Sequence, residues 1–418
     1  MKILVIGSGG RESALVWKLN KSKHVKKIYA APGNAGMSGM AECVEIMATD
    51  IPALLEFVLD KNIDLTIVGP DDALPLGVVD IFEEKGLKIF GPSKAAAIIE
   101  YSKEFAKDFM KRNGIPTARY ETFDDSAKAY KYIETQKLPI VIKADGLAVG
   151  KGVYICHDLH EAKSALNDMM ELSKFGDSGK KVVVEEYLEG VEVSILSFVD
   201  GKKVVPMISA KDHKSIFEGG KGPNTGGMGT VAPNEAYNDD MAKVCMETIF
   251  QPTIDAMAKE GRVYKGVLFF GLMLTADGPK VIEYNARFGD PETQVALPML
   301  ESDLVEVCLA CCDGSLGEVD IKKDGAAVCV ILASDGYPGS FERGFEIEGL
   351  KALEGKDDVI IFYAGVKKDG DKLLTNGGRV LGVTALAGSV QEAADKAYAY
   401  SEQVNFKNKY VRKDIGLT

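Results

Sequence analysis

The chain has 418 residues, which at roughly 100–200 residues per domain predicts two to four domains with ample buried cores. Apolar residues make up 46% and charged residues 27%, a composition that excludes a disordered or fibrous chain. Lys and Arg number 50 against 62 Asp and Glu, a net charge of −12 with no basic block, so a protein that coats nucleic acid or an anionic membrane is disfavoured and any phosphate must be gripped locally.

No run reaches about 18 uninterrupted apolar residues, so no membrane span is expected. The opening Met1–Gly7 reads as a first strand and not as a signal peptide. Seven cysteines, an odd number in a long chain, argue for a reducing compartment, and the cytoplasm is the expected location.

The first hundred residues alternate β-rich runs (3–6, 27–30, 64–68 and 87–90) with helical spacing at 13–21 and 51–61. This predicts a doubly wound parallel sheet with ligands at the carboxyl ends of its strands. A helix over 94–113 follows, stopped by Gly114 and Pro116. Strands at 139–144, 153–156 and 181–186 around a helix at 159–172 predict a small α+β flap subdomain. Strands at 192–199 and 204–210 lead through the Gly-rich stretch 219–229 to a long helix at 235–259 and strands at 267–275 and 279–284. The last ninety residues give strands at 326–333, 359–363 and 379–385, then a helix at 390–404. The expected division is 1–101, 102–325 with a flap at about 120–190, and a β-rich 326–418.

The loop Gly7-Ser8-Gly9-Gly10-Arg11-Glu12 offers backbone amides to an anion. A dinucleotide site is disfavoured, because Glu12 stands where the third glycine belongs and no acid ends the second strand. Arg11 favours a monophosphate or another small anion; the competing reading is a tight βα turn. The segment Asp145–Gly152 misses a P-loop, since Asp145 replaces its first glycine and Gly152 follows Lys151. Flanked by strands, Gly150, Lys151 and Gly152 suit a flap over a triphosphate, with Lys143 as a second cation; a plain hairpin competes. In Glu185-Glu186-Tyr187-Leu188, one acid can face a pocket while its neighbour is solvated, and Glu192 can accept from ribose hydroxyls; an acidic surface turn is the alternative.

The densest chemistry lies at 281–293. Glu283 and Asn285, two apart on a strand, share a face and offer the two oxygens that a Mg²⁺ bridging nucleotide phosphates requires. Arg287 follows on the same side and can stabilise a transferring phosphoryl group. The Gly289-Asp290-Pro291 turn starts a helix that aims Glu292 and Thr293 back at the site. Glycines at 219–229 suit a loop approaching a ligand. Upstream, Asp212-His213-Lys214 sets an acid, a base and a cation together, although His213 reads equally well as a solvated loop residue. Cys308, Cys311 and Cys312 are expected to pack a helix, and His157 with His160 to lie on the surface.

Taken together, Gly9-Gly10-Arg11-Glu12, 31–36, 68–70, Ile142–Leu147, Gly222–Gly229 and Asn285–Gln294 make the whole chain resemble the glycinamide ribonucleotide synthetases of the ATP-grasp superfamily. The resemblance implies an ATP-dependent ligase joining glycine to 5-phosphoribosylamine through a glycyl phosphate, an early step of purine synthesis. It implies small-molecule substrates, no nucleic-acid or membrane partner, a monomer, and ATP with Mg²⁺ or Mn²⁺. By the same resemblance, Lys103, Lys143 and Lys151 hold phosphates, Glu185, Leu188 and Glu192 hold adenosine, and Glu283 and Asn285 bind the metal. Arg287, Lys214 and Asp212 are the candidate catalytic groups. Gly9, Gly10, Arg11, Glu12, Pro70, Thr225, Gly226, Asp290, Pro291 and Glu292 are the candidate substrate contacts. The chain departs from the family pattern at Ser13, where His is usual, and at Asp71 and Asp72, where Glu commonly follows Val-Gly-Pro; both departures bear on how the acceptor is gripped. Another carboxylate–amine ligase of the superfamily and a non-catalytic nucleotide-binding module are the rival readings.

Overall fold

The computed structural model describes residues 1–146, 152–322 and 324–417. The expected parallel sheet forms in the order Glu42–Cys43, Lys27–Pro32, Lys2–Gly7, Leu65–Val68, Ile89–Phe90. Its central strand is apolar after Lys2 because both faces are covered. Leu4 and Ile6 pack toward Leu54 and Val58 of the Ile51–Lys61 helix, while Ile3 and Val5 pack with Ala14 and Leu15 of the Gly10–Leu19 helix.

The flap is a four-stranded antiparallel sheet in the order Tyr120–Phe123, Val182–Glu186, Ile140–Ala144, Val153–Cys156. Its own core gathers Ile133, Ile142, Ala162 and Val184. Two of its elements have no counterpart in the sequence reading: the strand Tyr120–Phe123 and the helix Ser126–Ile133, which Asp125 caps by accepting from the Lys128 amide at 3.1 Å.

Most of the remaining strands join one nine-stranded sheet. It runs Gly278–Asn285, Lys265–Thr275, Val191–Asp200, Val204–Asp212, Gly229–Ala232, Ala326–Ser334, Arg379–Ala387, Val359–Tyr363, with Lys409–Tyr410 paired to Ala326–Ser334. Most C-terminal strands therefore extend the central sheet through Gly229–Ala232, while Val366–Asp369 and Lys372–Thr375 pair apart as a two-stranded hairpin. Phe288 ties the layers together, with its ring centroid 6.2 Å from that of Phe90 in the first sheet and 6.3 Å from that of Phe198 in the large one.

Three expectations change. The helix over 94–113 is two helices, Lys94–Tyr101 and Lys103–Arg112, because Ser102 is extended (φ −128°) and its hydroxyl caps the second by accepting from the Phe105 amide. The helix over 235–259 begins only at Asp239, capped by Asn238, and passes through a π turn at Met246–Phe250. The glycine stretch is in part a hairpin of Ser215–Phe217 and Lys221–Asn224, and Gly229 already begins a strand. Cys308 and Cys311 are buried on the Leu304–Asp313 helix, and His157 and His160 are exposed, as expected.

Candidate active site

A cleft of about 390 Å³ opens between the flap, the first sheet and the large sheet. On one wall the strand Gly278–Asn285 pairs with Lys265–Thr275, setting Glu283 opposite Gly271 and Asn285 opposite Phe269. Alternation along the strand turns both oxygen-bearing side chains into the cleft. Burial works to raise the Glu283 carboxyl, but Lys214, Lys143 and Lys103 outweigh it and hold the group at about 2. Glu283 is therefore ionised at neutral pH, and with the Asn285 amide oxygen it supplies the hard donors that suit a divalent ion. Arg287 lines the same wall. Its Nη2 donates to Asn285 Oδ1 at 3.1 Å and lies 3.1 Å from Glu100 Oε1.

Beside this strand stands a group of ammonium ions. Lys103, at the start of the second helix, donates to the Gly146 carbonyl at 2.8 Å. Lys143 donates to the Ile282 carbonyl at 3.0 Å and pairs with Glu185 at 2.9 Å. Lys107 pairs with the other Glu185 oxygen at 2.8 Å and donates to Thr117 Oγ1 at 2.8 Å. Burial pushes the Lys107 ammonium down to about 8. Burial works to raise the Glu185 carboxyl, and its two lysines pull it below the usual range. Neighbouring Glu186 turns toward Arg119 at 2.7 Å and also lines the cleft, so the two acids are not divided between pocket and solvent as expected. Tyr187, Leu188, Glu192 and Gly152 also line the cleft. Gly150 and Lys151 lie outside the described residues.

At the far end the three parts of the chain converge on Asp290. Its Oδ2 accepts from the Arg11 amide at 3.2 Å, and Arg379 Nη1 lies 3.3 Å from its Oδ1. Burial works to raise the Asp290 carboxyl, but these arginines hold it below its usual range. Arg379 also donates to the Gly226 carbonyl at 2.6 Å. Arg11, Thr225, Gly226, Asp290 and Glu292 line the cleft; Gly9, Gly10, Glu12, Pro70 and Pro291 do not. They stand behind it, where Glu12 accepts from the Gly9 amide at 2.6 Å and Arg11 donates to the Gly69 carbonyl beside Pro70 at 2.7 Å.

The stretch Asp212-His213-Lys214 divides by alternation. Asp212 and Lys214 face the cleft; His213 is buried away from it, neither solvated nor in reach of a ligand there. Lys214 bridges Glu192 at 2.5 Å and Glu283 at 3.4 Å. Burial, reinforced by Glu292, raises the Asp212 carboxyl well above its usual range, and Oδ1 has no hydrogen-bond partner. Gly227 (φ +111°) makes room for it: a Cβ there would sit 2.6 Å from Asp212 Oδ1.

Glu100, Lys107 and Arg379 are cleft residues that the sequence reading missed. For Arg379 a signal existed, since Gly377-Gly378-Arg379 repeats the Gly9-Gly10-Arg11 triplet. Neither Glu100 nor Lys107 carried one.

Three family models match the chain: the N domain of phosphoribosylglycinamide synthetase over residues 1–100, its ATP-grasp (A) domain over 101–293 and its C domain over 327–418. Among curated relatives, the phosphoribosylamine–glycine ligase of Caldanaerobacter subterraneus is 51% identical over 99% of both chains. That of Haemophilus influenzae is 50% identical over 100% of this chain and 98% of its own. The crystal structure of the phosphoribosylamine–glycine ligase of Thermotoga maritima superposes with a TM-score of 0.85 at 34% identity, covering 99% of this chain and 100% of that one. Biotin carboxylase from Campylobacter jejuni, at 16% identity and a TM-score of 0.76 over 100% of this chain and 94% of its own, shares the fold.

Proposed function

The chain belongs to the phosphoribosylglycinamide synthetase family, and from that premise we propose how its cleft makes the carbon–nitrogen bond. The protein is an ATP-dependent ligase that joins glycine to 5-phosphoribosylamine, giving glycinamide ribonucleotide, ADP and phosphate in purine biosynthesis. The glycine carboxylate attacks the γ-phosphorus of ATP and releases ADP. The amine of phosphoribosylamine then attacks the carbonyl of the glycyl phosphate, phosphate leaves, and the amine loses a proton.

Each wall has a part in this chemistry. Lys103 and Lys143 hold the phosphates beside Gly152, and Gly150 and Lys151, outside the described residues, are assigned to the same role. Glu186, Tyr187, Leu188 and Glu192 surround the nucleoside, and Glu185 acts by fixing Lys143. Glu283 and Asn285 hold the divalent ion that the family uses, Mg²⁺ or Mn²⁺, which when bound neutralises charge on the terminal phosphates. Arg287 lies beside the transferring phosphoryl, and Lys214 draws in the glycine carboxylate. Asp212, buried beside Glu292, takes the proton released as the bond forms. Arg11, Asp290, Thr225 and Gly226 border the acceptor, while Gly9, Gly10, Glu12, Pro70 and Pro291 shape that end from behind. Catalysis by this set is positioning and charge stabilisation, with no covalent enzyme intermediate.

The observation that carries the assignment is the convergence of Glu283, Asn285 and Arg287 with Lys103 and Lys143 on one cleft. We further propose that the chain works as the units 1–101, 102–325 and 326–418, and as a cytoplasmic monomer, a reading that its seven free cysteines fit. Among the described residues no helix is long and apolar enough to cross a membrane. A coupled ADP assay with each substrate omitted in turn is the test. ADP formation that requires glycine, with glycinamide ribonucleotide as product, supports the reading; ADP release independent of glycine contradicts it.

A further inference from the structure

Glu100 has no assigned role, yet it is a buried carboxylate on the otherwise apolar or small-residue stretch Ala95–Ile99. A buried charge is retained against a desolvation cost only where partners hold it. Its two oxygens are divided: Oε2 accepts from the Ala286 amide at 2.6 Å, and Oε1 lies 3.1 Å from Arg287 Nη2. The helix break at Ser102 gives this carboxylate its place, letting Glu100 end one helix against Arg287 while Lys103 starts the next facing the phosphates. Asp71, another carboxylate near the guanidinium, is 3.9 Å away and more exposed.

Arg287 has competing attractions. Asp71, Glu292 and, last, Glu283 also act on it through space. Without a fixed anion behind it, the guanidinium would be free to shift toward these other carboxylates, withdrawing the cation from the phosphoryl group. We propose that Glu100 is a positioning residue, which anchors Arg287 beside Asn285 and keeps it off the neighbouring carboxylates. The inference rests on the role assigned to Arg287 above. A neutral acceptor would satisfy the Ala286 amide; only Arg287 needs the charge.

The test compares Glu100→Gln, Glu100→Asp, Arg287→Ala and the double variant Arg287→Ala/Glu100→Gln in the full chain. Glu100→Gln should lower kcat on the order of 10- to 100-fold, with the KM for ATP nearly unchanged. Added guanidinium ion should partly restore Arg287→Ala but not the double variant. Wild-type kcat in Glu100→Gln, or equal rescue of both Arg287 variants, overturns the proposal while leaving the Arg287 assignment standing. Near-normal turnover in Arg287→Ala overturns that assignment and the proposal with it. Should Glu100→Gln fail to fold, Glu100→Asp decides: reduced kcat at unchanged KM for ATP supports positioning, and wild-type kcat makes Glu100 a residue of stability alone.

Discussion

Lys107 and Glu185 face each other at 2.8 Å in the wall of the cleft, with side chains only 3% and 4% exposed. Lys143 completes a buried triad on the other carboxylate oxygen. Such a group is stable only while every charge is compensated. Lys107→Met leaves Glu185 with one partner and should cost about 3 kcal/mol of stability, read from urea unfolding. It should also raise the KM for ATP through a loosened Lys143. A change below about 0.5 kcal/mol would show that the triad carries no such dependence.

Removing the groups that face the phosphoryl should stop turnover without unfolding the chain. Glu283→Ala and Arg287→Ala are each expected to lower phosphate release by about 10³-fold or more, because charge stabilisation in a dry site is the main catalytic resource. Near-normal rates together with normal circular dichroism would refute the assignment.

Arg379 reaches the cleft from the C-terminal strand Arg379–Ala387 and clamps Gly226 and Asp290. Arg379→Met should lower kcat/KM for phosphoribosylamine by about 10- to 100-fold, the scale of a lost charge-assisted contact. The KM for ATP should hardly move, since Lys103 and Lys143 lie at the other end. Equal losses for all substrates would indicate general disorder of the site instead.

His213 gives a pH signature. Burial, with Arg412 and Lys211 nearby, pushes its imidazole down to about 4 from an ordinary 6.5. The unfolded chain therefore binds the proton more readily between these values, so the contribution is complete above 6.5 and fades as pH falls toward 4. By pH 5 the wild type should have lost about 2 kcal/mol relative to His213→Leu, compared by urea unfolding at pH 7 and pH 5. Parallel pH profiles for the two proteins would contradict the burial argument.

Phe288 is fully buried between the two large sheets. Phe288→Ala should cost about 3–5 kcal/mol in unfolding free energy. It should also depress kcat, because the neighbouring Arg287 loses its support.

Periodicity carried the alternation of strands and helices, and the spacing of two in Glu283, Asn285 and Arg287 carried their shared place in the cleft, because both are local properties of the backbone. What escaped is long-range. Glu100 meets Ala286 across 186 positions, and Arg379 meets Gly226 across 153, so no window of sequence contains either pair. The split at Ser102 escaped for a related reason. An unbroken helix satisfies propensity, but the fold needs Glu100 and Lys103 directed at different parts of the cleft. The same alternation that exposed Glu283 turns His213 away, a consequence legible only once Asp212 is known to end a strand.

The strand Gly229–Ala232 is hydrogen-bonded to Val204–Asp212 on one side and to Ala326–Ser334 on the other. A chain cut at residue 325 would strip one flank bare and present an apolar, unpaired ribbon ready to stick to its own kind. The last ninety residues are thus a seal on the ligase as much as an appendage, and any shortened version will need that flank masked to stay in solution.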